Sequence, residues 1–106
     1  MDVISGAPTS FEAFWPRYLG EHRHPLNRAL HFVGTSLVYV TLFAAVFQSA
    51  RWVIAAPVVG YGFAWFGHFF VERNRPATFT YPWWSLRGDF RMHARTLTGR
   101  LKSDLA

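Results

Sequence analysis

Two stretches of this chain contain no Asp, Glu, Lys or Arg: residues 29–50 and 52–71. At 1.5 Å of rise per residue each makes a helix of roughly 30 Å, about the thickness of a bilayer's hydrocarbon core. Two helices buried in a soluble bundle are the other way to hide such runs. Neither run has the polar stripe that a globular helix shows. A chain of 106 residues also has little left over to cover two all-apolar helices. The expected fold is therefore all-α: an integral membrane helical hairpin in a single domain over 1–106, with transmembrane helices over about 25–50 and 52–72. Only "QSAR", residues 48–51, separates the two runs.

The distribution of charge orients the hairpin. Arg17, Arg23 and Arg28 precede the first run. Arg73, Arg75, Arg87, Arg91, Arg95, Arg100 and Lys102 follow the second, and Arg51 alone marks the turn. The positive-inside rule then expects both termini in the cytoplasm, at the inner or plasma membrane of a bacterium or the endoplasmic reticulum of a eukaryote. The net charge of +5 is spread along these flanks and is nearly all arginine, which argues against nucleic acid as a partner. The absence of cysteine excludes disulfides, thiol chemistry and Cys-ligated zinc. "MDVISGAPTS" has no basic cluster and does not read as a signal peptide.

Both flanks read as amphipathic interfacial helices. Over about 9–21, Thr9 and Glu12 form a capping-box pattern ahead of Phe11, Phe14, Trp15 and Tyr18, with Pro16 expected to kink or shorten the helix. Over about 85–103, Leu86, Phe90, Ala94, Leu97 and Leu101 recur at helical spacing, and Arg87, Arg91 and Arg95 form a separate row. Between them "RPATFTYPWW" reads as a proline-rich loop at headgroup level. Ala56, Gly60 and Ala64 make a small-residue face. It serves close packing within the hairpin or contact with a second copy in a homodimer.

An ionisable ring inside an apolar run needs a reason. His31 lies two residues inside the first run and His68 three before the end of the second, so antiparallel helices bring them to one depth, roughly 3 and 4.5 Å below the same border. His24 and Asn27 share a face with His31 if the helix starts near Pro25. Tyr61, Trp65, His68 and Glu72 form a second row that should face protein or a cavity, because a carboxylate facing lipid is costly. A loop before Pro25 can turn His22 and His24 inward together, and Asp89 stands four residues before His93, where it can orient that ring. His31, His68 and Glu72 are the expected catalytic trio, and His22, His24, His31, His68 and Glu72 the expected metal ligands. Without thiols, such imidazoles and a carboxylate suit Fe, Mn or Zn, and non-haem Fe(2+) commonly takes a mixed N/O set of this kind. Each of these histidines taken singly has an ordinary alternative, a hydrogen-bonded residue at the membrane interface.

"EHRHPLNRALHFVGT" and "WFGHFFVERNRPATFTYPWWSLRGDFRM" resemble the Mpo-like membrane family over residues 21–92. In that family the best-known fungal representative is an Fe(2+)-dependent dioxygenase of 2-hydroxy fatty acids. The resemblance puts His22, Asn27 and His31 in the first block, and His68, Glu72, Asn74, Arg75 and Pro76 in the second. It implies a lipid or fatty-acid substrate shortened by one carbon, although this chain is shorter than the fungal enzyme and has fewer spans. The chemistry is consistent: a 2-hydroxy acid chelates iron through carboxylate and hydroxyl, leaving three positions for protein beside one for O₂. Arg28, Arg73 and Arg75 are placed to attract the substrate carboxylate, or else serve as positive-inside anchors. Asn27, Asn74, Asp89 and His93 are the expected supporting residues. Two rival readings are a b-type haem held by His31 and His68, and a non-catalytic membrane scaffold whose histidines only hydrogen-bond.

Overall fold

The computed structural model describes residues 7–106, so the signal-peptide reading of the first residues falls largely outside the described part. The described residues are helical with no strand. Helix α1 covers Phe11–Gly20. Helix α2, Pro25–Phe47, is the first rod. The second rod is continuous from Ala50 to Glu72 but changes pitch twice: a 3₁₀ turn over Ala50–Ile54, α3 over Ala55–Phe66 and a π-helical segment over Gly67–Glu72. A short 3₁₀ turn, Ala77–Phe79, leads to α4, Pro82–Leu97, and α5, Leu101–Leu105.

Both rods are long and apolar enough to cross a membrane. Their large side chains do not form the core. Val40, Phe43, Val46 and Phe47 on the first rod, and Ile54, Val58 and Phe70 on the second, are exposed. The buried cluster lies beyond the end of the hairpin, where Phe11, Phe14, Trp15, Tyr18 and Leu19 of α1 meet Ala77, Met92 of α4 and Leu101 of α5. A soluble chain would bury these surfaces in the reverse order, since exposed apolar area costs about 25 cal/mol per Å² in water.

The rods approach closely at glycine. A Cβ on Gly34 would stand 2.9 Å from Phe63 Cβ, and one on Gly60 2.9 Å from Val38 Cγ2. Gly60 of the small-residue face thus packs inside the hairpin. The connection is tighter than "QSAR": α2 stops at Phe47, and extended Ser49 already caps the turn that begins at Ala50.

The flanking helices make a cap. Ser10, rather than Thr9, caps α1, its Oγ accepting from Ala13 N at 3.1 Å. Pro16 sits inside α1 without ending it. The apolar face of α1 is turned onto α4, and the arginine row of α4 covers its edge: Arg87 lies over the Phe11 ring at 4.1 Å and Arg91 over Trp15 at 4.9 Å. Glu12 pairs with Arg91. The expected 85–103 helix is two helices, because Gly99 takes a left-handed φ of 73°. Arg95 then reaches across the break to pair with Asp104 of α5.

Candidate metal centre

Three separate segments bring three imidazoles together. His22 follows α1 by i+4 from Tyr18, so it extends the buried face of Phe14 and Tyr18 past the helix end. His31 lies in the second turn of α2, and His68 lies in the π segment. Their rings are 1%, 3% and 3% exposed. At this level of burial every ring nitrogen needs a partner.

The partners determine which nitrogen is free. His22 Nδ1 donates to the Tyr18 carbonyl at 2.6 Å, and His31 Nδ1 to the Asn27 carbonyl at 3.0 Å. His68 Nδ1 donates to Asn74 Oδ1 at 2.7 Å; the orientation of that amide follows from its Nδ2, which donates to the Glu21 carbonyl at 3.0 Å. A neutral imidazole with Nδ1 protonated carries its lone pair on Nε2. All three Nε2 lone pairs are therefore left to the centre of the cluster. His22 Nε2 and His31 Nε2 are 3.2 Å apart, and the three ligand atoms lie within 4.8 Å of one another. The rings are close to mutually perpendicular, at 84°, 79° and 90°.

Lone pairs facing one another with no proton between them repel, and a cation converts that repulsion into bonding. With a metal–nitrogen distance of about 2.1 Å, neighbouring ligands in octahedral or tetrahedral sites stand roughly 3.0–3.4 Å apart, a range that contains the His22–His31 separation. Each ring is also fixed by an outer carbonyl oxygen, the usual support for metal-binding histidine. Burial holds His22 well below the ordinary histidine range, reinforced by His31 and His68, so this ring is neutral and ready to coordinate. The cluster can hold a metal ion.

The other expected residues are elsewhere. Glu72 is not part of the cluster: Oε2 accepts from His24 N at 2.5 Å and from Asn27 Nδ2 at 3.3 Å. The reason is the π segment, whose wider turn breaks the regular spacing from His68 to Glu72 and swings the carboxylate to the N-terminus of α2, where the helix dipole favours it. His24 is the exposed N-cap of α2, Nδ1 accepting from Leu26 N at 3.1 Å. Arg28 is a latch, donating to the His22 carbonyl at 2.9 Å and the Arg23 carbonyl at 2.7 Å. Arg73 and Arg75 line a shallow groove with Phe69 and Phe79 outside the cluster. His93 stacks on Phe32 at 4.5 Å and meets Ser36 Oγ at 2.9 Å, so it docks α4 on α2. Asp89 does not orient His93; it accepts from the Tyr18 hydroxyl at 2.5 Å. Asn74 bonds His68 through its side chain, whereas Asn27 meets His31 only through its backbone carbonyl.

A cavity of about 240 Å³ adjoins this centre, with His31, Thr35, Gly60, Ala64 and Asp89 among its lining residues. Comparison with known families adds the deciding observation: residues 8–101 match the family described as 2-hydroxy-palmitic acid dioxygenase Mpo1-like. The chain belongs to this family. No curated protein and no solved structure matches it significantly. The span shared with the Mpo1-like family takes in α1, both rods and α4, so all three histidines lie within it.

Sequence reasoning named Tyr18 only on the apolar face of the first helix and did not name Gly67, yet both pack against the cluster or its supports. Tyr18 stacks on His22 at 4.0 Å while its carbonyl holds Nδ1. The i, i+4 spacing from Phe14 through Tyr18 to His22 is the signal that finds it. Gly67 gives way to Asn27: a Cβ there would lie 1.9 Å from Asn27 Oδ1. A haem between His31 and His68 has no room for its macrocycle, because the His22 ring stands 4.5 Å from both.

Proposed function

We propose that this chain is a membrane-embedded iron(II) dioxygenase that shortens a long-chain 2-hydroxy fatty acid by one carbon. The observation that carries the reading is the convergence of three Nε2 lone pairs, each fixed by a carbonyl on Nδ1, beside an apolar cavity. Family membership supplies the reaction class. His22, His31 and His68 would hold the ion through three neutral nitrogen donors, a set compatible with a chelating 2-hydroxy acid. Iron held there would supply the Lewis acidity and redox capacity for oxidation by O₂ at C2. The overall balance is one 2-hydroxy acid and one O₂ giving the acid one carbon shorter, carbon dioxide and water.

The protein's own groups supply position and environment. Tyr18, Asn27 and Asn74 hold the three rings in one tautomer and orientation. The aromatic cap closes the centre from the water side, and the exposed faces of the rods lie in lipid, where the substrate dissolves. Arg73 and Arg75 on the flank attract the substrate's carboxylate toward the border. Arginine on the flanks of both rods supports a cytoplasmic location for the cap and both termini. A non-catalytic scaffold is the weaker reading, since hydrogen bonding alone leaves three lone pairs in conflict.

The test is metal analysis and oxygen uptake on protein purified without oxygen. One iron per chain is expected, with dioxygen consumed on adding 2-hydroxypalmitic acid and not on adding palmitic acid. Equal turnover of both acids, or iron binding that survives loss of any one of the three histidines, overturns the reading.

A further inference from the structure

The cavity beside the histidines is long and narrow. On α2 its wall runs from His31 through Thr35 to Val38, and on the second rod from Ala64 to Ala56. Seven and eight residues of helix make about 10 and about 12 Å of length. Its 240 Å³ accommodates about eight groups the size of a methylene, taking the roughly 30 Å³ that liquid water gives each molecule as the unit. Small residues create this space, since Ala56, Gly60 and Ala64 bring almost no side-chain volume to the wall.

One carboxyl interrupts the apolar lining. Asp89 of α4 reaches this cavity, and its Oδ1 is taken by the Tyr18 hydroxyl at 2.5 Å. Among the described residues Oδ2 has no hydrogen-bond partner. Tyr18 in turn stacks on His22, so Asp89 marks the end of the cavity nearest the histidines. Burial raises its carboxyl to about 7. It is therefore protonated in part near neutrality and less repellent to a substrate carboxylate than an ordinary aspartate. Asp89 is part-buried, and its second carboxyl oxygen is free to hydrogen-bond a ligand in the cavity.

We propose that this cavity receives the first part of the substrate's alkyl chain, and that Asp89 Oδ2 accepts a hydrogen bond from the 2-hydroxyl. Asp89 is then the residue of the cavity that distinguishes a 2-hydroxy acid from a simple fatty acid, independently of any chelation at the metal centre. About eight carbons past the head the chain leaves the protein for lipid, so longer chains gain nothing further from the cavity. The inference rests on the function proposed above, which supplies the 2-hydroxy acid.

The test is photolabelling of the full chain in lipid nanodiscs with 2-hydroxydecanoic acid carrying a terminal diazirine. Labelling is run without oxygen, with and without iron. Adducts are expected at the deep end, on Val38, Ala56 or Pro57, and Ala64→Leu, at a lining position that already carries a Cβ, should abolish them by filling the slot. Unlabelled 2-hydroxydecanoic acid should compete about tenfold better than decanoic acid, the upper end of what one ordinary hydrogen bond contributes. In the iron-free protein, where no chelation can favour the 2-hydroxyl, Asp89→Ala should bring the two competitors within twofold, and Asp89→Asn, which keeps an acceptor oxygen, should retain most of the preference. Adducts confined to the exposed Val40, Phe43 or Phe70, or no adducts, overturn the cavity assignment; an undiminished preference in Asp89→Ala overturns the role of Asp89. Labelling at Val38 in a protein without iron or oxygen uptake leaves the cavity standing while the proposed activity fails. Turnover with labelling at Val40 alone does the reverse.

Discussion

His22 and His31 face each other Nε2 to Nε2 across 3.2 Å, and neither has a proton on that atom to share. Both Nδ1 protons are committed to backbone carbonyls. The metal-free cluster therefore holds unfavourable electrostatics that an ion relieves. Adding Zn(2+) or iron(II) should raise the melting temperature of the wild type, by an amount equivalent to about 2.7 kcal/mol at a hundredfold excess over Kd. His22→Ala, His31→Ala and His68→Ala should each lose most of that rise and most of the bound metal. Their metal-free forms should melt close to the wild type. Thermal melts at several metal concentrations test this, and a full metal-dependent rise in all three variants rules out the site.

Asn74 acts through His68, so its removal should weaken metal binding without removing a ligand. Asn74→Ala should cost about 10- to 100-fold in affinity, the usual effect of deleting an outer partner of a metal-bound histidine. Asn74→Asp keeps the acceptor for Nδ1 and should recover most of the loss, although it gives up the bond to the Glu21 carbonyl. Competition titration against a chelator separates the two variants.

Gly67→Ala should destabilise the protein by about 1–3 kcal/mol, the range for overpacking a tight contact. The new methyl would meet Asn27 Oδ1 at 1.9 Å. Asn27→Ala in the same chain removes the obstacle, so the double variant should be more stable than the sum of the single changes. A denaturation cycle over the four proteins measures that coupling.

The Asp89 carboxyl is raised to about 7 by burial, with the Tyr18 bond partly opposing the shift. The folded state therefore binds this proton more tightly than the unfolded chain. Its contribution to stability is complete below the ordinary carboxylate value of about 4 and is lost as pH climbs to about 7. His22, held low, gives the opposite slope, losing stability as pH falls from about 6.5. The difference in melting temperature between wild type and Asp89→Asn isolates the Asp89 part and should shift in favour of the variant between about pH 4 and about pH 7. A constant difference across that window contradicts the assignment.

Glu72→Gln should keep its metal. The amide oxygen still accepts from His24 N, and only the favourable charge at the start of α2 is lost, worth about 0.3–1 kcal/mol. Loss of iron from this variant would mean that the carboxylate swings in to coordinate.

The hairpin and the common depth of His31 and His68 were legible because they depend on run length and helical rise alone. The choice of His22 over His24 was not. It depends on α1 carrying its face one turn past Gly20, and on Pro25 and the Glu72 contact turning His24 outward into a capping role. Glu72 was misplaced for a similar reason: extrapolating one regular helical row through residues 61–72 takes no account of a π segment, which close packing of Asn27 against Gly67 accompanies. Asp89 was paired with His93 on spacing along one helix, whereas its partner comes from α1, 71 residues away. Local periodicity locates residues on an element and says little about which element will lie across from it.

One ligand comes from the cap and one from each rod, and this has a consequence for how the protein matures. During synthesis His22 and His31 emerge first, but the third donor arrives only with the far end of the second rod. On the metal-binding function proposed above, an ion is gripped only after both rods are in place and the cap has folded back over their ends. Under that function metal capture would be the last event of biogenesis, a checkpoint that only a completely assembled chain can pass.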